Sequence, residues 1–527
     1  MFGGRKQRPI LTSGARLCYN KLKIKQIKQE LRKKLPDYIL GADIGTSACK
    51  AAIFDKSGSV IASQTRAYKL YYPQDGHVEQ DPEEWWAAAA LAFKNIFAQG
   101  EVAPRDIKAV GVDGQSWSAI MLDKTGGILF GNPIWMDARA AEICEEIKNT
   151  IGEKAILDLC GNPIEPMYSA PKIIWFKRNY PEVFKKTYKI LQSNSYIIYK
   201  LTGKLSQDLS QCYGFCFYDM RKKTWDITMA RALGIDINIM PDLFDCHGVV
   251  GTVTREAAAL TGLLEGTPVV AGGVDSACGT LGAGVIKNGG TQEQGGQSGG
   301  MSICMDKFAP HAKLVYCNHV VPGKYLLQGG TVGGGASYKW LRENFFPDLS
   351  FAEMDALASQ SPPGAGGVIF LPYMAGERSP VWDPRAKGVF YGFDFTKTKS
   401  DFIRAVLEGV AYSLVHNLKT AEETGSAANI LYANGGAANS DLWMQIKSDA
   451  ANKPVAVVSS GDVSTTLGAA ILAGVAAGIY SGFDDAVKNT VTIRRTFYPD
   501  AENHGIYMKR YEKYLEIYGN LKETMGK

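Results

Sequence analysis

A chain of 527 residues, 46% apolar and 21% charged with 57 glycines, is too long for one hydrophobic core and too apolar to be disordered or fibrous. The formal charge of +5 is an uneven average: residues 1–35 carry eleven Lys/Arg against Glu30 alone, a local +10, so the remaining 492 residues sum to about −5. That mildly acidic body calls for no nucleic-acid partner, and ten scattered cysteines without metal-finger spacing fit reduced, buried thiols in a cytoplasmic enzyme better than disulfides or a metal site.

In the basic extension, residues 1–35, Ile24, Ile27, Leu31 and Leu35 recur at helical spacing between lysines. A solvated extension and a surface-binding amphipathic helix both fit that pattern, and it holds no secretory apolar core. From Tyr38 to Asp55 the spacing predicts a hairpin: a buried strand, a tight turn at Gly45, and an antiparallel return. Gly45, Thr46 and Ser47 at its tip can turn N–H groups and hydroxyls toward an anion, and Asp43 beside them can help hold Mg²⁺, which is how a transferable phosphate is cradled. A structural hairpin with a polar tip is the plainer reading of the same residues.

Val60 to Leu70 reads as a third strand. Asp81-Pro82-Glu83-Glu84 then starts a helix, with Asp as N-cap, Pro at the first position and two acids complementing the dipole. Ile107 to Val112 and Ala119 to Leu122 read as strands on either side of the polar stretch Asp113-Gly114-Gln115-Ser116-Trp117. No GxGxxG follows the first strand, so a dinucleotide fold is disfavoured, and the order of elements is that of an actin-like, ribonuclease H-like α/β domain. In Trp135-Met136-Asp137-Ala138-Arg139 an acceptor and a fork of donors flank a small residue, able either to read a polyol or to close as a salt bridge.

Further along, Ser169, Lys172, Trp175 and Arg178-Asn179, followed by Gly388-Val389-Phe390-Tyr391-Gly392 with Asp401-Phe402 and Ala405 to Glu408, resemble the two signatures of the FGGY carbohydrate kinases. The stretch Asp43 to Lys50 is similar to that family's DxGTxxxK phosphate loop. The resemblance runs from about Tyr38 to the C-terminal helix and departs mildly at Phe393, where the family has an aliphatic residue.

The resemblance implies two actin-like ATPase domains, 36–284 for sugar and 285–500 for ATP, with a helix over 501–527 and a cleft that closes to exclude water. Val269 to Gly284 leads through Gly272-Gly273 into Asp275 at the start of a Gly/Ala-rich helix, and the family implies that Asp275 is the catalytic base. Sugar contacts would come from Gln115, Ser116, Trp117, Asp137, Arg139, Asp275 and Ser276. Nucleotide contacts would come from Gly45, Thr46, Ser47 and Lys50 and from three later Gly-rich turns. These hold Gln297 and Ser298, Gly334 and Gly335, and Gly436, Ala437 and Ser440; Asp43 would take Mg²⁺.

Gln297-Ser298 replaces the Thr usual in the second phosphate loop. The LPYxxGERxP-like stretch, Leu371-Pro372-Tyr373 and Gly376 to Pro380, reads as mainly architectural, holding the second domain, with nucleotide contact as the alternative. Val463 to Phe483 has no charge for 21 residues, but its glycines, hydroxyls and alanines suit a tightly packed interior helix rather than a membrane span. Tyr507 to Leu521 reads as a docking helix. None of the six histidines has a ligand partner at i+4, which argues against a transition metal.

Within the family the xylulokinase branch is nearest, through His77 to Pro82, the Trp135 to Arg139 loop and the Asp275 segment; Gln115-Ser116-Trp117-Ser118 departs, lacking its Met-His. The expectation is phosphorylation of D-xylulose by MgATP, with another pentulose, a polyol or a related sugar as alternatives. An ATP-dependent regulatory protein without catalysis is the rival from another class. A homodimer in the cytoplasm completes the expectation.

Overall fold

The computed structural model describes residues 37–525, so the basic extension lies outside the described residues. Two seven-stranded sheets carry the architecture. In the first, Tyr38–Ile44 pairs antiparallel with Ala48–Phe54 and parallel with Ile107–Gly114. The second repeats the device: Gly290–Gly295 pairs antiparallel with Gly299–Met305 and parallel with Ile430–Asn434. Each sheet therefore holds a hairpin whose tip emerges at the carboxyl end of a parallel pair, which is where ligands meet α/β sheets.

Local chemistry explains the flanking elements. The side chain of Asp81 accepts from the Glu83 N–H at 2.9 Å and caps helix Pro82–Ala98, whose Trp85, Ala89, Phe93 and Ile96 are buried at helical spacing. Burying each large apolar side chain of this stripe contributes about 1.5–3 kcal/mol. The third strand ends at Ala67, short of Leu70. Ile120–Leu122 does not join the main sheet but pairs with Lys189–Leu191 in a small one of its own, because the chain leaves the sheet at Gly114.

Helices Asp275–Gly282 and Ser464–Ala476 cross between the halves at backbone distance. A Cβ on Gly282 would lie 1.9 Å from the Ser464 carbonyl oxygen, and one on Gly468 1.9 Å from that of Cys278. Gly41 and Gly111 let the second helix lie as close on the first sheet, where a Cβ would come within 2.0 Å of Thr466 and Ala469 oxygens. Within the uncharged Val463 to Phe483 run, Ser464–Ala476 is thus an interior helix, after which the chain turns before the next helix at Phe483, and among the described residues no helix is long and apolar enough to cross a membrane. The C-terminal helix Ala501–Met525 buries Tyr507, Tyr511, Tyr514 and Ile517, and Tyr507 accepts from Arg404 Nη2 at 2.7 Å. All nine described cysteines are free and buried.

Candidate active site

Asp275 opens its helix because the strand before it is held from three sides. Gly272, at φ +68, lies where a Cβ would strike the Val112 carbonyl oxygen at 1.8 Å. The Val274 N–H donates to Ser210 Oγ at 2.8 Å, and Ser210 donates to Asp208 at 2.5 Å. Asn194 Nδ2 ties Asp208 to the Ala271 carbonyl, at 3.1 Å each. The Asp275 carboxylate accepts from the Ser276 N–H at 2.6 Å and keeps its other oxygen for the cavity. Burial pushes its pKa up to about 7, the charge of Asp43 adds to that, and Ser276 N–H and Arg378 oppose it.

Asp43 stands in register with Asp113 on the neighbouring parallel strand. Asp43 Oδ2 accepts from Thr465 Oγ1 at 3.1 Å, whereas Oδ1 is buried with no protein donor. Burial raises its pKa, and Lys50, Asp113 and Thr465 pull it back. Neither oxygen of the fully buried Asp113 meets an N–H or O–H. Burial and the charges of Asp43 and Asp275 hold Asp113 well above the usual carboxylate range. The orphaned Asp43 oxygen fits a hard divalent cation. Among the described residues no group of three or more His, Cys, Asp or Glu could cage one, so phosphate oxygens and water would complete its shell, as is usual for Mg²⁺.

Two cavities are lined by the tip of the second hairpin, and the smaller also reaches Thr46 of the first. The smaller, about 220 Å³, is lined by Asp275 and Ser276, by Thr46, by Ser298 to Gly300, and by Ser116, Trp117, Trp135, Tyr213 and Arg378. The larger, about 590 Å³, is lined by Gln297, Gly335, Gly436, Ala437 and Ser440, with Tyr338, Phe351 and Trp443 as its aromatic wall. The first has the size and aromatic faces that suit a small polyhydroxy molecule, and the aromatic wall of the second suits a flat heterocycle.

Several expected contacts are placed elsewhere. Asp137 and Arg139 close on each other at 2.8 and 2.9 Å, Arg139 also reaches Glu79 at 2.6 Å, and Asp137 accepts from the Val78 N–H at 2.7 Å. Both side chains are buried and ion-paired, which is the salt-bridge reading of that loop. Gln115 donates to Gln80 at 2.7 Å, and Gln80 donates to the Thr46 carbonyl at 2.8 Å, so Gln115 braces the first hairpin from behind. Gly45, Ser47 and Lys50 belong to that hairpin but line neither cavity. Gly334 fits where a Cβ would meet the Gly299 nitrogen at 2.2 Å. The N–H groups of Gly335 and Ala336 donate to the Gly296 and Gln297 carbonyls at 2.9 and 2.8 Å. That helix start therefore pins the second hairpin and has those donors committed.

Beyond the aromatic walls of the two cavities, residues that were not assigned to the site join it, among them Asp113, Lys172 and Arg378. Asp113 carries the same signal as Asp43, an acid ending a buried strand before Gly. Lys172, fully buried, donates to the Trp117 and Ile134 carbonyls at 2.9 and 2.7 Å and so ties both loops of the small cavity together; burial lowers its pKa to about 7. Arg378 emerges from the GERSP stretch into the cavity. Trp117 sits at φ +62, edge-on to Tyr168 and Tyr213 with centroids 4.8 and 5.7 Å away, in space left by Gly214, whose Cβ would lie 2.5 Å from its ring.

Residues 38–282 match the N-terminal domain, and residues 302–477 the C-terminal domain, of the FGGY family of carbohydrate kinases. The chain is 30% identical over 488 residues to a xylulose kinase of Bacillus subtilis (strain 168), covering 92% of this chain and 97% of the relative. Among solved structures, the ligand-bound xylulose kinase and the gluconate kinase from Lactobacillus acidophilus each superpose with a TM-score of 0.86 at 27% identity, covering 93% of this chain and 99% of theirs.

Proposed function

The chain belongs to the FGGY family of carbohydrate kinases and is a sugar kinase; from that premise we propose that it converts D-xylulose to D-xylulose 5-phosphate, with Asp275 as general base. The observation that carries the roles is the meeting of Asp275 with both hairpin tips, Thr46 on one side and Ser298 to Gly300 on the other, in one cavity. The acceptor choice rests on the xylulokinase-like motifs and on the relatives named xylulose kinase.

The sugar lies against Trp117, Trp135 and Tyr213, its reacting hydroxyl toward the free oxygen of Asp275. ATP places its base in the larger cavity and its phosphates at the two tips, where the Thr46 and Ser298 hydroxyls and hairpin N–H groups donate. The hydroxyl oxygen attacks the γ-phosphorus, the bond from phosphorus to the bridging oxygen of ADP breaks, and the hydroxyl proton passes to Asp275 late in the transfer. A carboxylate whose pKa is about 7 is suited to that proton near neutrality. Mg²⁺, held at Asp43, would neutralise charge developing on the phosphate oxygens.

The test is a coupled ADP-release screen over ketopentoses, ketohexoses, polyols and gluconate, run beside Asp275→Asn. D-xylulose is expected to give the highest kcat/KM, and Asp275→Asn to lower kcat about 10²–10⁴-fold. Ribulose, glycerol or gluconate outperforming xylulose changes the acceptor only. No stimulation by any acceptor above the Asp275→Asn rate removes the role given to Asp275.

A further inference from the structure

Three buried or half-buried arginines surround the sugar and C-terminal regions, and two are neutralised. Arg139 is held by Asp137 and Glu79, and Arg404 by Glu408 at 2.7 Å and the Tyr507 hydroxyl. Arg378 differs. Among the described residues its guanidinium makes no hydrogen bond and no ion pair, although protein surrounds it and burial lowers its pKa. A cation left unpaired in such a place is costly unless a ligand supplies the anion.

Its loop is built to hold it there. Glu377 accepts from Thr331 Oγ1 at 2.6 Å, from the Val332 N–H at 3.0 Å and from the Arg378 N–H itself at 2.7 Å, while Ser379 Oγ accepts from the Gly330 N–H at 2.6 Å. These bonds fasten the loop to the strand paired with the second hairpin. From the opposite half, the Trp135 ring lies 5.9 Å from the guanidinium carbon, and Trp135 Nε1 donates to Thr46 Oγ1 of the first hairpin at 2.9 Å. Among the described residues Arg378 is the only Lys or Arg lining the cavity that Asp275 shares with the two tips.

We propose that Arg378 is a further catalytic residue, its guanidinium gripping the phosphoryl group while that group passes from ADP to the sugar oxygen. A planar fork can bond two of the three equatorial oxygens, whose charge is spread in a loose transition state. Arg378 takes no proton in the step; the hydroxyl proton still goes to Asp275 and the electron pair of the broken bond to ADP. The role belongs to the kinase reaction and stands whichever sugar is the acceptor.

The experiment uses the full chain, MgATP and the best acceptor from the screen, with Arg378→Ala and Arg378→Gln. The expected result is a kcat about 10²–10³-fold lower, a sugar KM within about threefold, sugar binding by tryptophan quenching retained, and partial recovery of Arg378→Ala by added guanidinium chloride below denaturing concentration. Unchanged kcat in either variant overturns the proposal. So does a raised KM at wild-type kcat, which would make Arg378 a reader of the acceptor, most tellingly if only an anionic acceptor such as gluconate is affected. Should Arg378→Ala not fold, Arg378→Gln decides on kcat alone.

Discussion

The two hairpins are copies of one device with opposite chemistry. In the first sheet the residues facing each other before the tip are Asp43 and Asp113; in the second they are Gln294 and Asn434. Asp43 and Gln294 each sit two residues ahead of the tip glycine, Gly45 or Gly296, and each faces its partner across the same kind of parallel strand pairing. The second half does have an acid nearby, Glu293, but buried Lys447 closes it at 2.5 Å. Each acid keeps one buried oxygen without a donor, Asp43 Oδ1 and Glu293 Oε2, but Asp43 has no ion-pair partner among the described residues. On the proposed function, the first half would serve a cation and the reacting phosphoryl end, and the second would place neutral donors around the rest of the nucleotide.

The largest test of that division replaces the acid of the first half by the amide of the second. Asp43→Asn keeps an acceptor for Thr465 but removes the charge, and kcat should fall about 10³-fold with a raised Mg²⁺ requirement. A Mg²⁺ titration of initial rates checks this; an unchanged half-saturation would mean that the cation is held elsewhere. The pH profile comes next. Asp275 must be ionised to accept a proton, and its pKa is raised to about 7, so kcat/KM for the sugar should be flat above that value and fall about tenfold per pH unit below it. Because Arg378 lowers the Asp275 pKa, Arg378→Gln should move this limb to higher pH, with Asp43 the charge acting in the opposite sense. A limb that stays in place in Arg378→Gln would separate the two groups.

How much of this was legible in the sequence depended on sequence distance. The first hairpin, the Asp81 cap and the interior helix at Ser464–Ala476 are written in adjacent residues, and the structure has them. The fate of Asp137 and Arg139 was not, because it is decided by Glu79, some sixty residues earlier, and by the Val78 backbone. Gly335 shows the same limit: a glycine-led helix start looks open to an anion until the Gly296 carbonyl is found on its N–H. Arg378 was hidden by its neighbour. Glu377 makes the loop architectural, as its motif suggested, and by absorbing the backbone donors it leaves the adjacent guanidinium unbonded. Phe393, the departure in the second signature, is exposed and leans on Phe402 at 5.4 Å, so its size is tolerated.

The smallest expected effect concerns the tips. Thr46 presents a hydroxyl, which accepts from Trp135 and can still donate its own proton, while the matching Gln297 presents an amide. Gln297 lies on the larger cavity, and its carbonyl is taken by the Ala336 N–H, so its backbone is fixed and its side chain is the variable part. Gln297→Thr makes the two tips alike without touching Asp275, Asp43 or the small cavity. A shorter donor nearer the phosphates should lower KM for ATP about two- to fivefold and leave KM for the sugar unchanged, the gain of roughly 0.5–1 kcal/mol expected from one neutral hydrogen bond. Initial rates over a matrix of ATP and sugar concentrations separate the two constants. A rise in KM for ATP would mean that the glutamine amide already makes the phosphate contact, and that the second half works with amides at its tip as it does in its strands.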